Sequence, residues 1–206
     1  MNMAEKVFQT KKRIFDLWAP YYDFPLTSVF YQAIHKRLLE YLELPEDAYI
    51  LDLGCGTGRL FRRLGKQFTS LRGVGLDLSG EMISQAREGN LYPERITYTQ
   101  GNAESLPFEA EKFTAAFNTI SFLHYPNPQI VLGEINRVLI PGGRYYLADF
   151  TVRDDVTPPR FLFSSNKISF YSAKQREKFA QEVGLKTLGH YYLLGPVLLT
   201  IFGKEG

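Results

Sequence analysis

Two acids and three glycines carry the first chemical signal of this chain. An apolar run from Tyr49 to Leu53 contains Asp52 and breaks into Gly54, Gly56 and Gly58, a G-x-G-x-G spacing. A buried strand that ends in a glycine-rich turn lets the backbone approach a ligand, because no Cβ stands in the way. Asp77 ends a second apolar run, nineteen residues after Gly58. That spacing suits a carboxylate reaching the two hydroxyls of a ribose. The dinucleotide fingerprint is G-x-G-x-x-G, and Asp52 beside the turn would repel a pyrophosphate while favouring a cationic or ammonium-bearing ligand. The pocket therefore reads as one for an adenosine-containing ligand without phosphate. S-adenosylmethionine, with its ribose, adenine, sulfonium and α-amino group, meets those terms. Clustered glycines by themselves would equally be a tight turn.

His124 follows the fourth strand of the pattern, at the edge where open α/β sheets bind ligands. An imidazole titrates near neutrality, so His124 is a candidate general base, with a packing role as its alternative. His35 and His190 fall in a helix and a strand without ligand spacing, so no metal is expected. The single cysteine, Cys55, excludes an intramolecular disulfide and a cysteine-rich zinc site. Lying between two glycines, it reads as a small filler of the turn rather than a nucleophile.

The elements that must position these residues alternate along the chain. Helical patterns over 4–18, 26–44, 59–67, 80–88, 128–139 and 173–183 are interleaved with strand patterns over 49–53, 72–77, 96–100, 113–118 and 144–150. Ser79 and Ser172 are placed to cap helices, and Gly184 to stop one. Strands alternating with helices at this pitch predict a parallel sheet with right-handed crossovers. Residues 186–193 and 197–203 read as two further strands. Leu194-Gly195-Pro196 between them is too short for a parallel crossover, so the pair should be an antiparallel hairpin. Pro141-Gly142-Gly143 is expected to end one helix and lead into the fifth strand, away from substrate and cofactor.

The string Leu-Asp-Leu-Gly-Cys-Gly-Thr-Gly over residues 51–58 closely resembles the first motif of class I S-adenosylmethionine-dependent methyltransferases. Val74 to Ser79 resembles the second motif of that family, and Gln100 to Phe108 the stretch after its third strand. The resemblance implies a three-layer, doubly wound, Rossmann-like sheet of seven strands in the order 3-2-1-4-5-7-6, the last antiparallel. It implies S-adenosyl-L-methionine as cofactor, held by Asp52, Gly54, Cys55, Gly56, Gly58, Asp77, Leu78, Met82, Asn102, Ala103, Glu104, Asn118 and Thr119. Where the family usually has Asp, this chain has Asn102, whose side-chain oxygen still accepts a hydrogen bond from the adenine amine, without charge assistance. Asn102 as a plain turn residue is the alternative.

Phe15 to Asp23 is similar to the segment that opens ubiquinone- and menaquinone-biosynthesis methyltransferases and some phosphatidylethanolamine N-methyltransferases. The likeness implies a helical lid over residues 1–45 above a cofactor-binding core over 46–206, together one domain. Tyr21 and Tyr22 are its lid candidates, and with His124 they complete the candidate catalytic set. Methyl transfer needs little acid–base help, so the absence of a catalytic dyad is no objection.

At 206 residues the chain suits one domain with its own core. A net charge of +2 implies no nucleic-acid partner. No apolar run is long enough to span a bilayer, and the N-terminus has no signal-like core, which points to a cytoplasmic protein. Aromatic and basic residues interleave from Lys6 to Phe24, a pattern compatible with peripheral contact at a membrane or with a lid over an apolar pocket. The acceptor is expected to be small and apolar or quinol-like. Thr151 to Tyr171 is a shorter cap than the quinone enzymes carry, which leaves that pocket more open. The competing readings are a phospholipid N-methyltransferase at the membrane surface and a catalytically silent cofactor-binding module. A nicotinamide dehydrogenase is disfavoured by the glycine spacing. Oligomeric state does not follow from the sequence.

Overall fold

The computed structural model describes residues 25–154 and 168–206. The elements run α1 (Pro25–Leu39), β1 (Tyr49–Leu53), α2 (Arg59–Gln67), β2 (Arg72–Asp77), α3 (Gly80–Glu88), β3 (Ile96–Gln100) and β4 (Phe113–Thr119). A 3-10 turn (Phe122–His124), α4 (Pro128–Val138), β5 (Leu139–Phe150), α5 (Ala173–Glu182), β6 (Leu185–Leu194) and β7 (Val197–Lys204) follow. The strands form one seven-stranded sheet in the order β3-β2-β1-β4-β5-β7-β6. β1 to β5 are parallel, and β7 inserts antiparallel between β5 and β6, as expected.

Both faces of the sheet are covered, and strand alternation decides which residue goes where. Ile50, Phe117 and Tyr146 face a layer built from Ile34 and Leu38 of α1, Leu60, Phe61 and Leu64 of α2, and Ile83 of α3. Leu51, Ala116 and Tyr145 face the opposite layer, with Val131, Leu132 and Ile135 of α4 and Ala180 of α5. Burying each Leu, Ile or Phe contributes roughly 1.5–3 kcal/mol, so the two apolar layers dominate the driving force. Local signals agree with the packing. Ser79 Oγ accepts from Met82 N at 3.1 Å to cap α3. Ser172 and Gln175 form a reciprocal capping box on α5, and Gly184 follows that helix at φ 82°.

Two boundaries differ from expectation. The helix expected over 4–18 lies outside the described residues, and the one expected over 26–44 stops at Leu39: i→i+3 bonds from Glu40 and Tyr41 tighten the end of α1. The buried Tyr146 hydroxyl then takes both backbone groups of Glu43, at 3.1 and 3.3 Å, which commits that segment to the sheet instead. The second difference is at Pro141-Gly142-Gly143, which lies inside β5 rather than before it. The pairing jumps from Phe113↔Leu139 to Ala115↔Arg144, so the three residues form a bulge. Proline has no ladder donor and Gly142 sits at φ 77°, both tolerated where a strand bulges.

Candidate functional site

The carboxyl ends of β1, β2, β4 and β5 meet at one edge of the sheet, and the loop after β1 shapes it. Gly54 N and Cys55 N donate to Leu76 O at 2.8 and 3.1 Å, which folds the loop over the end of β2. Gly54, Gly56 and Gly58 all take left-handed φ, at 64°, 51° and 76°. A Cβ on Gly54 would stand 2.2 Å from Ser121 Oγ, and one on Gly58 2.5 Å from the Tyr98 hydroxyl. The loop is thus packed from both sides, and these positions need glycine for space as well as for backbone angle. Cys55 is buried, and burial with Asp77 and Asp52 nearby pushes its thiol well above the ordinary range. A thiol held protonated is a filler, not a nucleophile.

Asp77 ties the loop to β2. Its Oδ2 accepts from Gly56 N and its Oδ1 from Ser79 N, both at 2.9 Å. A carboxylate offers about four acceptor positions, so these amides set its orientation without exhausting it. Asp52 is different. It is 1 % exposed, and neither carboxylate oxygen has a hydrogen-bond partner among the described residues. Burial, and then the nearby Asp77, raise its pKa well above the ordinary value. A buried carboxylate without a partner is costly, and a ligand bringing a cation would relieve that cost. The pair therefore fits a ligand that joins a positive group to vicinal hydroxyls.

The wall opposite Asp77 comes from β4. Asn118 is fully buried; its Nδ2 donates to Leu53 O at 3.2 Å and to the Tyr125 hydroxyl at 2.8 Å, while its Oδ1 is unpartnered. Ser121 Oγ donates to the same Leu53 carbonyl at 3.2 Å and lies 3.2 Å from the Tyr125 hydroxyl. Burial holds the Tyr125 phenol protonated, far above its usual range. Thr119 is buried beside them, and Ile120 follows at φ 52°. A β-branched residue in that region costs about 1–2 kcal/mol, so the chain stores strain at this edge. His124 closes the 3-10 turn, its N donating to Ser121 O at 3.0 Å.

Asn102 Oδ1 accepts from Glu104 N at 2.9 Å, a side-chain turn, so the oxygen expected to read an adenine amine also shapes its own loop. Ala103 is buried. Glu104 accepts from Asn127 N and Nδ2 at 3.0–3.1 Å, which anchors this loop to the start of α4. Met82 is buried, and Leu78 O accepts from Gln100 Nε2 at 2.9 Å. Arg137 reaches Phe108 O and Leu106 O and pairs with Glu134, a structural clasp. Tyr21 and Tyr22 lie outside the described residues, as does most of the expected lid. Sequence reasoning places Ser121 and Tyr125 in the segment after the fourth strand without a role of their own, and passes over Asp149. Asp149 closes an apolar run at the same edge, as Asp77 does, which is the signal that would have found it. Among the described residues no group of three or more His, Cys, Asp or Glu is arranged to hold a metal ion, and no helix is long and apolar enough to cross a membrane.

Comparison with known proteins agrees with this fold. The family described as Methyltransferase domain matches residues 51–147. The chain is 33% identical over 156 residues to the ubiquinone/menaquinone biosynthesis C-methyltransferase of Syntrophotalea carbinolica, covering 73% of this chain and 65% of that protein. It is 33% identical over 148 residues to the 2-phytyl-1,4-naphtoquinone methyltransferase of Thermosynechococcus vestitus, covering 67% and 63%. The chain thus spans slightly less than two thirds of these relatives' own lengths. Among solved structures, the complex of a Haloferax volcanii methyltransferase with the Trm112 methyltransferase activator superposes with a TM-score of 0.81 at 22% identity, covering 93% of this chain and 98% of that one.

Proposed function

We propose that this chain, whose residues 51–147 belong to the methyltransferase-domain family, is a class I S-adenosylmethionine-dependent methyltransferase acting on a small, apolar or quinol-like acceptor. The observation that carries the reading is Asp52, a buried and unpartnered carboxylate beside Asp77 on a glycine loop. S-adenosylmethionine answers each feature, with an ammonium for Asp52, ribose hydroxyls for Asp77 and no phosphate. When bound, the cofactor supplies an electrophilic methyl group on a sulfonium.

The chain's own work is to bind, orient and exclude water. Gly54, Cys55, Gly56 and Gly58 present backbone close to the ligand. Leu78, Met82, Asn102, Ala103 and Glu104 form the adenine end. Asn118 and Thr119 line the methionine end, where the unpartnered Asn118 Oδ1 is a further acceptor. Orientation of acceptor, methyl and sulfur in line accounts for most of the acceleration such a site needs. For an acceptor hydroxyl, His124 is our candidate for taking the proton, with Tyr21 and Tyr22 as candidates for a lid. The aromatic row of Phe30, Phe150 and Phe170, with centroids 6.0 and 6.4 Å apart, supports an apolar ring as acceptor. So do the names of the two relatives above, one a 2-phytyl-1,4-naphtoquinone methyltransferase and the other a C-methyltransferase of ubiquinone/menaquinone biosynthesis.

A thermal-shift comparison of S-adenosylhomocysteine, S-adenosylmethionine and NADH tests the reading. At a hundredfold excess over Kd, binding to the folded state stabilises by about 2.7 kcal/mol. Stabilisation by the two adenosyl-sulfur compounds alone is expected; stabilisation by NADH alone, or by none, overturns it.

A further inference from the structure

β5 ends in Asp149, a carboxylate that is 1 % exposed and that the reading above does not use. Its Oδ2 accepts from Leu123 N at 3.0 Å and its Oδ1 from Phe150 N at 2.6 Å. Leu123 lies in the 3-10 turn, whose own bonds run from His124 N to Ser121 O and from Tyr125 N to Phe122 O. The amides at the start of such a turn have no partner within it, and no side chain of Ser121 caps them. Asp149 supplies that acceptor from a neighbouring strand.

Behind Asp149 stands Arg176 of α5, also 1 % exposed. It donates to Asp149 O and Phe150 O at 3.0 and 2.9 Å, and to Leu198 O and Thr200 Oγ1 of β7 at 2.9 and 3.4 Å. A buried guanidinium bound mainly to carbonyls needs a nearby negative charge, and Asp149 provides it. Ahead of Asp149 the turn leads into Tyr125, whose hydroxyl meets Asn118 and Ser121, both bonded to the carbonyl of Leu53 just before Gly54. An unbroken run of contacts thus joins α5 to the glycine loop.

We propose that Asp149 is a positioning residue of the methyl-transfer site: its carboxylate, backed by Arg176, fixes the 3-10 turn and so sets Tyr125 and His124 against the glycine loop. This rests on reading that edge as the cofactor site. An asparagine at 149 offers one oxygen where the carboxylate offers two, so Leu123 and Phe150 cannot both be served. Among the described residues, the charged and titratable groups facing Asp149 are Arg176 from α5, Tyr145 from its own strand and Tyr125 from beyond the turn. Its register partner on β7, Leu198, carries no charge. Burial raises Asp149 to about 6, against Arg176 and the backbone amides, which lower it. The turn is therefore held at neutral pH and released as the carboxylate protonates.

The test uses the full chain in two measurements. In ligand-free protein, the hydrogen-exchange protection of the Leu123 amide is followed from about pH 5 to pH 8. Over the same range, S-adenosylhomocysteine affinity is measured by calorimetry. In wild type Leu123 protection is expected to fall around pH 6, and affinity to fall between pH 7 and pH 5 by about tenfold more than the ionisation of Asp52 on binding accounts for, the excess being one further required ionisation. In Asp149→Asn the Leu123 amide should be poorly protected and affinity reduced at neutral pH, with only the Asp52 limb left, so that the loss between pH 7 and pH 5 is about tenfold smaller than in wild type. An acid limb as steep in Asp149→Asn as in wild type belongs wholly to another group, such as Asp52, and overturns the proposal; so does unchanged Leu123 protection. If Asp149→Asn does not fold, Asp52→Asn decides: with the Asp52 limb removed, an affinity midpoint that coincides with the loss of Leu123 protection supports the assignment, and affinity that stays level while Leu123 loses protection refutes it. Failure of the homocysteine compound to bind at any pH would defeat the cofactor reading, and the exchange series would still decide whether Asp149 holds the turn.

Discussion

Asp52→Asn should stabilise the ligand-free protein at neutral pH while weakening its hold on the cofactor. In the folded chain the Asp52 pKa is raised well above its ordinary 3.8, first by burial and then by Asp77. Between those two values the native state keeps a proton that the unfolded state has released. The stability the proton confers is therefore complete below pH 3.8 and is lost as pH rises through the native pKa. The slope is about −1.4 kcal/mol per pH unit for one proton. The amide of the Asp52→Asn variant binds no proton, so the variant lacks this slope. Asp149 adds a slope of the same sign up to about pH 6, but equally in both proteins, so it cancels in the difference. Urea unfolding of wild type and variant between about pH 5 and pH 8 should thus show stabilities diverging by about 1.4 kcal/mol per unit until Asp52 ionises. Binding reads the same group from the other side. A ligand ammonium would draw Asp52 into its charged form, so wild type should release up to about one proton on binding S-adenosylhomocysteine at neutral pH. That release appears as a binding enthalpy that depends on the buffer, and Asp52→Asn should abolish it. Parallel stability curves would show that Asp52 is charged and partnered in the folded protein and would refute the reasoning.

Gly54→Ala forces a left-handed residue with a side chain, at about 1–2 kcal/mol, and its Cβ lies 2.2 Å from Ser121 Oγ. Losing the bond from Ser121 to Leu53 O adds about 1 kcal/mol, so roughly 2–3 kcal/mol in all is expected in urea unfolding. Adding Ser121→Gly should relieve the contact and leave the backbone strain; a double variant no more stable than Gly54→Ala would discredit the contact. Asp77→Ala should weaken S-adenosylhomocysteine binding by about 1.5–3 kcal/mol in calorimetry, the range for hydrogen bonds to a charged group. Unchanged affinity would remove Asp77 from the ribose site.

What the sequence made legible depended on whether a signal was local. The parallel strands were visible as short apolar runs, and the terminal hairpin because Leu194-Gly195-Pro196 is too short for a crossover. The glycine loop was visible because backbone angle and close approach both restrict residue type there. Its three glycines are left-handed in the structure, and Asp77 reaches back to the Gly56 amide. Boundaries set by distant partners were hidden. Nothing near residue 40 announces that Tyr146 will take the backbone of Glu43, and nothing at Pro141 reveals a strand across a bulge. The Asn118–Ser121–Tyr125 group was hidden for the same reason. Its shared partner, the Leu53 carbonyl, is 65 residues from Asn118 and is brought near only by the pairing of β1 with β4.

The insertion of β7 between β5 and β6 also bears on how the protein is made. During synthesis the parallel strands and all five described helices emerge before residues 197–204. Until then β5 has an open edge along Arg144 to Phe150, the stretch β7 later pairs, and β6 has no neighbour in the sheet. A nascent chain paused at that stage exposes two unpaired strand edges, the kind of surface on which chains aggregate. Pairing over this late, non-local register should limit the folding rate. Chaperone dependence and inclusion-body formation should therefore respond far more to substitutions in β7 than to equally buried ones in α2.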